Sequence, residues 1–94
     1  MAKWKNKKTD ALIQAFLVLK NKQELSNFLR DLLTEEEIVE FGQRWYVAQM
    51  LAKKMPYTEI TRKTGLSSTT IARVAKWLNP GMGGYQLVLK RLKK

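Results

Sequence analysis

The chain has 94 residues, 45% of them apolar, and a formal net charge of +10 from 18 basic and 8 acidic residues. A domain of this length buries roughly two-thirds of the surface that its unfolded chain exposes. The sequence contains no cysteine and no histidine, which excludes disulfides, thiolate or imidazole metal sites, cysteine nucleophiles and Ser-His-Asp chemistry. Few common enzyme mechanisms survive these omissions, so the sequence predicts no enzymatic activity, no metal and no cofactor.

The charge is distributed unevenly along the chain. Residues 1–8 carry +4, residues 9–52 carry −3, and residues 53–94 carry +9 with Glu59 as the sole acid. A basic half of this kind suggests a polyanionic partner, nucleic acid above all, although a merely solubilising surface is the alternative. No apolar run approaches the roughly 20 residues of a membrane span. We therefore expect no membrane partner and a cytoplasmic location.

Helical periodicity dominates the sequence, and alternating strand patterns of useful length are missing. We expect an all-α fold of about six helices, with residues 1–9 as a basic arm and 10–94 as the domain. The first helix is predicted at Asp10–Leu19, with Thr9 or Asp10 as its cap. The second is predicted at about Lys22–Leu32, because Asn21 and Glu24 have the spacing of a capping box.

The third helix has the clearest start, since Thr34 precedes three glutamates that complement the helix dipole. It should run to about Lys53. Its second half, Trp45–Ala52, is apolar nearly all round and must be covered on more than one side. Either a second chain or the other helices of the same chain could provide that cover.

The segment Tyr57–Leu78 matches a helix-turn-helix. Gly65 allows the positive φ of a tight turn, Leu66 fills the corner, and Ser67 can cap the second helix. Three further helices are predicted in this half of the chain, at about Tyr57–Thr64, Ser68–Leu78 and, after a turn, Tyr85–Leu92.

An outward face on the second helix of this motif can enter a major groove and reach base edges. The candidates for base reading are Ser68, Thr69, Ala72 and Arg73. The candidates for phosphate binding lie within or beside the motif; they are Lys53, Lys54, Arg62, Lys63, Ser67, Thr70 and Lys76.

Several stretches together resemble the bacterial Trp-repressor superfamily. They are Leu32-Leu-Thr-Glu-Glu-Glu37, Phe41-Gly-Gln-Arg44, Met55-Pro-Tyr-Thr-Glu-Ile60 and Thr64-Gly-Leu-Ser-Ser-Thr-Thr-Ile-Ala-Arg-Val74. The closing Trp77-Leu-Asn-Pro-Gly-Met-Gly-Gly-Tyr85 is similar to the YerC/YecD branch of TrpR-related proteins. The resemblance covers about Leu25–Leu92. It implies an intertwined homodimer whose two reading helices enter successive major grooves, with half-sites about one DNA turn apart.

The resemblance also implies a corepressor pocket, which falls here on Thr34, Arg44, Arg73, Val74 and Trp77. The family's threonine and two arginines persist at the first three positions. Val74 stands where the family has glycine and Trp77 where it has serine, and these larger side chains would fill the space that a free tryptophan needs. The altered pocket therefore predicts DNA binding without tryptophan, while another small-molecule effector stays open.

The leading hypothesis is thus a homodimeric transcriptional regulator, a repressor, that binds double-stranded DNA. The alternative is a basic RNA- or ribosome-associated helical protein, which would share the lysine-rich ends and the aromatic residues. A third reading takes the helix-turn-helix as purely structural and predicts weak, sequence-blind binding.

Overall fold

The structure is a computed structural model that describes residues 3–93. The described chain is all-α, as predicted, and contains no strand. Its six helices are α1 (Lys7–Leu17), α2 (Lys22–Leu32), α3 (Glu35–Ala52), α4 (Tyr57–Thr64), α5 (Ser68–Leu78) and α6 (Gly84–Leu92). The chain divides into two compact units, residues 3–38 and residues 39–94, the last residue lying outside the description.

The start of α1 differs from the sequence prediction. The helix begins at Lys7 rather than Asp10 and ends at Leu17 rather than Leu19, and its cap is Asn6 rather than Thr9 or Asp10. The amide of Thr9 donates to Asn6 Oδ1 at 2.9 Å, and the amide of Asn6 donates to Thr9 Oγ1 at 2.9 Å. Thr9 is therefore the third helical residue of a capping box and not the cap that the sequence predicted.

The predicted starts of α2 and α3 are confirmed. In α2, Asn21 Oδ1 accepts from the amide of Glu24, whose carboxylate accepts from the amide of Lys20. In α3, Thr34 and Glu37 form a reciprocal capping box, with bonds of 3.1 and 2.9 Å. These local bonds satisfy amides that would otherwise lack a helical partner.

Apolar side chains of the N-terminal unit stay largely uncovered. Neither α1 nor α2 contains a buried residue. Phe16 and Phe28 meet edge to face with ring centroids 5.6 Å apart, yet Ile13 is 48% exposed and Leu17 71% exposed. A folded helical pair with so little burial needs further apolar contacts to be stable.

The core lies in the C-terminal unit. It is built from Val47, Ala48 and Met50 of α3, Ile60 of α4, and Ile71 and Val74 of α5. Trp45 packs against this cluster, and its ring stacks on that of Tyr85 of α6 with centroids 6.1 Å apart. One broad side of Trp45–Ala52 is thus covered within the single chain, while Tyr46 remains 45% exposed.

A Schellman motif ends α3. The amide of Lys54 donates to the carbonyl of Leu51, and the amide of Met55 donates to that of Met50. Lys54 has φ +66°, in the left-handed region where glycine usually stands. The helix therefore stops at Ala52, and the chain turns towards α4.

The turn before α6 approaches the end of α5 closely. Gly81 has φ +51°, and a Cβ atom there would lie 2.0 Å from the carbonyl oxygen of Trp77. The side-chain amide of Gln86 donates to the carbonyl of Leu78 at 2.8 Å. These contacts attach the first turn of α6, which begins at Gly84 rather than Tyr85, to the end of α5.

Candidate nucleic-acid interface

The corner between α4 and α5 has the geometry of a helix-turn-helix. Gly65 ends α4 with φ +75°, and its amide donates to the carbonyl of Thr61 at 2.7 Å. Thr64 Oγ1 donates to the carbonyl of Ile60 and accepts from the amide of Leu66. The corner is therefore held by hydrogen bonds of its own residues, and the predicted role of Gly65 is confirmed.

Helix α5 is anchored by one side and by its first turn. Ile71, Val74 and Leu78 are 0%, 6% and 4% exposed and form the buried side of the helix. Ser67 caps the helix by accepting from the amide of Thr70 at 3.2 Å, and the two hydroxyls lie 3.1 Å apart. The anchoring fixes which side of α5 faces outward.

All four predicted base-reading residues, Ser68, Thr69, Ala72 and Arg73, are exposed on that outward side. They present two hydroxyls, a methyl group and a guanidinium along the first half of the helix. Groups of these kinds contact base edges in a major groove. None of the three ion pairs found among residues 3–93 involves Arg73. Its guanidinium is therefore available to an external acceptor.

The predicted phosphate-binding residues are also exposed, but Arg62 is already engaged. Its guanidinium donates two hydrogen bonds to the carboxylate of Glu59, one turn earlier in α4. The hydrogen bond lowers the pKa of Glu59 and raises the pKa of Arg62, so the pair stays charged at neutral pH. The sequence contained this i, i+3 spacing, but spacing alone does not choose between an internal carboxylate and a phosphate.

Four of the five residues assigned to the altered pocket line one cleft of about 670 Å³ in the C-terminal unit. They are Arg44, Arg73, Val74 and Trp77. Thr34 belongs to the N-terminal unit, where its hydroxyl caps α3. Thr70, which the sequence indicated near a phosphate or this pocket, is also part of the lining. The sequence did not indicate the remaining lining residues, which are Glu40, Gln43, Leu66 and Tyr85; of these, Tyr85 was signalled by its place in the Gly-Gly-Tyr motif.

The two arginines of the cleft differ in their partners. Arg44 pairs with Glu40 at 2.6 Å and lies 5.3 Å from the ring of Phe41, whereas no carboxylate pairs with Arg73 among the described residues. Val74 belongs to the buried core cluster as well as to the cleft lining. The Trp77 indole is 54% exposed and lines the cleft, with Lys76 Nζ 5.9 Å from its ring centroid. The cleft has the size of small-molecule sites, so the exclusion of tryptophan stays a prediction.

Within residues 3–93, no helix is both long and apolar enough to cross a membrane. The all-α fold, the glycine corner and the exposed face of α5 define the class of helix-turn-helix DNA-binding proteins.

Comparison with known proteins gives the particular family. The family model described as Trp repressor protein matches residues 7–93, and the chain belongs to this family of regulatory DNA-binding proteins. The uncharacterised protein YerC of Bacillus subtilis (strain 168) is 39% identical over 92 residues, which is 98% of this chain and 88% of YerC.

Two solved structures share the fold. A TrpR-like protein from Eubacterium eligens ATCC 27750 superposes with a TM-score of 0.88 at 42% identity, over 96% of this chain and 93% of the other. A candidate Trp repressor from Staphylococcus aureus gives a TM-score of 0.86 at 36% identity, over 96% and 90%. The predicted resemblance to the Trp-repressor superfamily is confirmed.

Proposed function

We propose that this protein is a transcriptional repressor that binds a specific double-stranded DNA sequence as a homodimer, in the bacterial cytoplasm on the nucleoid. Helix α5 enters the major groove with Ser68, Thr69, Ala72 and Arg73 towards the bases. The observation that carries this proposal is the exposed face of α5, where Arg73 projects without a carboxylate partner among the described residues. Membership of the Trp repressor family supports it.

The proposed repressor does not require tryptophan. Trp77 already places an indole at the lining of the cleft, and Glu40 already neutralises Arg44. A free amino acid would have to compete with that carboxylate for the guanidinium. The cleft leaves room for another effector, and Arg73 is the cation that an anionic effector would meet.

The test is a selection of bound duplexes from a random DNA pool at physiological salt, with and without tryptophan. We expect a two-fold symmetric motif whose half-sites are about one helical turn apart, and the same motif in both conditions. Enrichment that depends on tryptophan would contradict the proposal that the protein binds DNA without tryptophan. Saturable, micromolar tryptophan binding in calorimetry would contradict the prediction that Val74 and Trp77 exclude tryptophan from the pocket.

Structured RNA added as a competitor tests the alternative in the same experiment. A protein that recognises a specific DNA duplex should stay bound to its selected DNA in the presence of the RNA. Absence of any enriched duplex, together with displacement by RNA, would favour an RNA-associated protein instead.

The uncovered apolar surface of the N-terminal unit supports the homodimer. No residue of α1 or α2 is buried, although Leu12, Ile13, Phe16 and Leu17 follow one another on one side of α1. Contiguous exposed apolar side chains of this kind mark association surfaces. A second copy of the chain would cover this surface and supply the second reading helix that a symmetric operator needs.

Ile13→Glu should therefore disrupt the dimer. The substitution removes about 1.5–3 kcal/mol of apolar burial per side and places a charge in the interface. Analytical ultracentrifugation at micromolar concentration should show monomers or unfolded chains. The matched control is Ala11→Glu, which introduces the same side chain at an exposed position on the opposite side of α1 and should stay dimeric. An Ile13→Glu protein that stays dimeric would argue against an interface built on α1.

A further inference from the structure

A small cavity lies where the end of α3 meets α4. Its volume is about 190 Å³, enough for several water molecules at roughly 30 Å³ each. The lining residues are Tyr46, Gln49, Met50, Lys53, Met55 and Lys63. Lys53 follows the last residue of α3 and Lys63 belongs to α4, so two chain segments bring two ammonium groups to one cavity.

The charge around this cavity is uncompensated. No acidic residue is part of the described lining, and neither lysine belongs to an ion pair among residues 3–93. The nearby acid of α4, Glu59, is already hydrogen-bonded to Arg62. Lys53 and Lys63 therefore both line this cavity, with no carboxylate among the described lining residues, and two like charges at one cavity favour an anion there.

The other lining groups suit a tetrahedral anion. Tyr46 carries a hydroxyl and Gln49 an amide, both of which can donate to an oxygen. Met50 and Met55 supply apolar walls that do not compete for it. The cavity is beside α4, the first helix of the DNA-binding motif, where contacts to the DNA backbone position the reading helix.

We propose that this cavity is one phosphate site, in which Lys53 and Lys63 jointly hold a single backbone phosphate of duplex DNA, assisted by Tyr46 and Gln49. The proposal rests on the DNA-binding function proposed above and adds that the two lysines act as a unit. Separate lysines on a solvated surface would instead meet separate phosphates.

The salt dependence of binding distinguishes a shared phosphate from two separate ones. The logarithm of the binding constant falls with the logarithm of salt concentration by about 0.9 for each neutralised phosphate. With a shared phosphate, Lys53→Ala and Lys63→Ala should each lower this slope by less than about 0.9, and the double variant by about 0.9 in total. Two independent contacts should give additive losses, about 1.8 for the double variant.

The measurement uses the full chain and a random-sequence duplex, so that sequence-specific contacts to bases do not contribute to the measured salt dependence. The control for net charge is Lys20→Ala/Lys22→Ala, two exposed lysines of the N-terminal unit outside the proposed contact set. A further variant, Gln49→Glu, places a carboxylate among the lining residues and should reproduce the slope of the double lysine variant. Circular dichroism checks that each variant is folded.

A loss of about 0.9 in each single variant and about 1.8 in the double variant would overturn the shared site and leave the DNA-binding function intact. Wild-type slopes in all three lysine variants would also overturn it, including the case in which the cavity takes free phosphate rather than DNA. A wild-type chain that binds no duplex at all would overturn the proposed function and this site together.

Discussion

Replacing Arg73 with alanine is expected to weaken binding to the selected operator by about 1–3 kcal/mol, roughly 5- to 150-fold in affinity. Arg73 lies on the exposed face of α5, opposite the buried stripe of Ile71, Val74 and Leu78. An arginine in this place can donate two hydrogen bonds to the O6 and N7 atoms of a guanine. Fluorescence anisotropy with the operator and with a scrambled duplex measures both affinities.

The ratio of the two affinities decides the role of Arg73. A base-reading arginine should lose affinity for the operator and much less for the scrambled duplex. Equal losses on both would assign Arg73 to a phosphate. Arg91→Ala is the matched control, because it removes the same charge from an exposed position on α6, outside the helix-turn-helix.

Gly81→Ala should destabilise the junction between α5 and α6 by more than about 2 kcal/mol. Positive φ costs a non-glycine residue roughly 1–3 kcal/mol. The new Cβ would also lie 2.0 Å from the carbonyl oxygen of Trp77, a backbone atom that cannot rotate away. Urea denaturation measures the change in the free energy of unfolding.

Two neighbouring glycines separate these contributions. Gly83 has φ +81° but open space around its Cβ position, so Gly83→Ala should show the conformational cost alone. Gly84 is the first residue of α6, with no neighbour near its Cβ position; Gly84→Ala should be neutral or slightly stabilising. If Gly81→Ala costs no more than Gly83→Ala, the close approach to Trp77 is not what makes glycine necessary at position 81.

Local signals predicted most of the helix boundaries. Helices α2, α4 and α5 begin and end at the predicted residues, because Asn21, Gly65 and Ser67 act on amides or φ angles within a few residues of themselves. The same logic misplaced the start of α1. Both Asn6 and Thr9 are good caps, and the reciprocal pairing that makes Asn6 the cap is visible only once the turn is formed.

The sequence indicated part of the cleft lining but not the ion pairs of the arginines. Arg44, Arg73, Val74 and Trp77 line one cleft, as the resemblance implied. The engagement of Arg62 by Glu59 could not be predicted, because an arginine has the same sequence signature whether its acceptor is a carboxylate or a phosphate. The meeting of lysines 53 and 63 at one cavity depends on how α3 turns into α4, which no local pattern specifies.

In the turn between α3 and α4, Lys54 combines an unfavourable backbone conformation with a positive charge beside the helix-turn-helix. Lys54 occupies a left-handed position that glycine would adopt without strain. Glycine there would make a more stable chain but would remove one cation beside the helix-turn-helix, and with it part of the attraction for a polyanion. With Lys54 as a predicted phosphate contact, selection for heat resistance and selection for DNA affinity should act on this residue in opposite directions, and laboratory evolution under heat alone should discard the lysine.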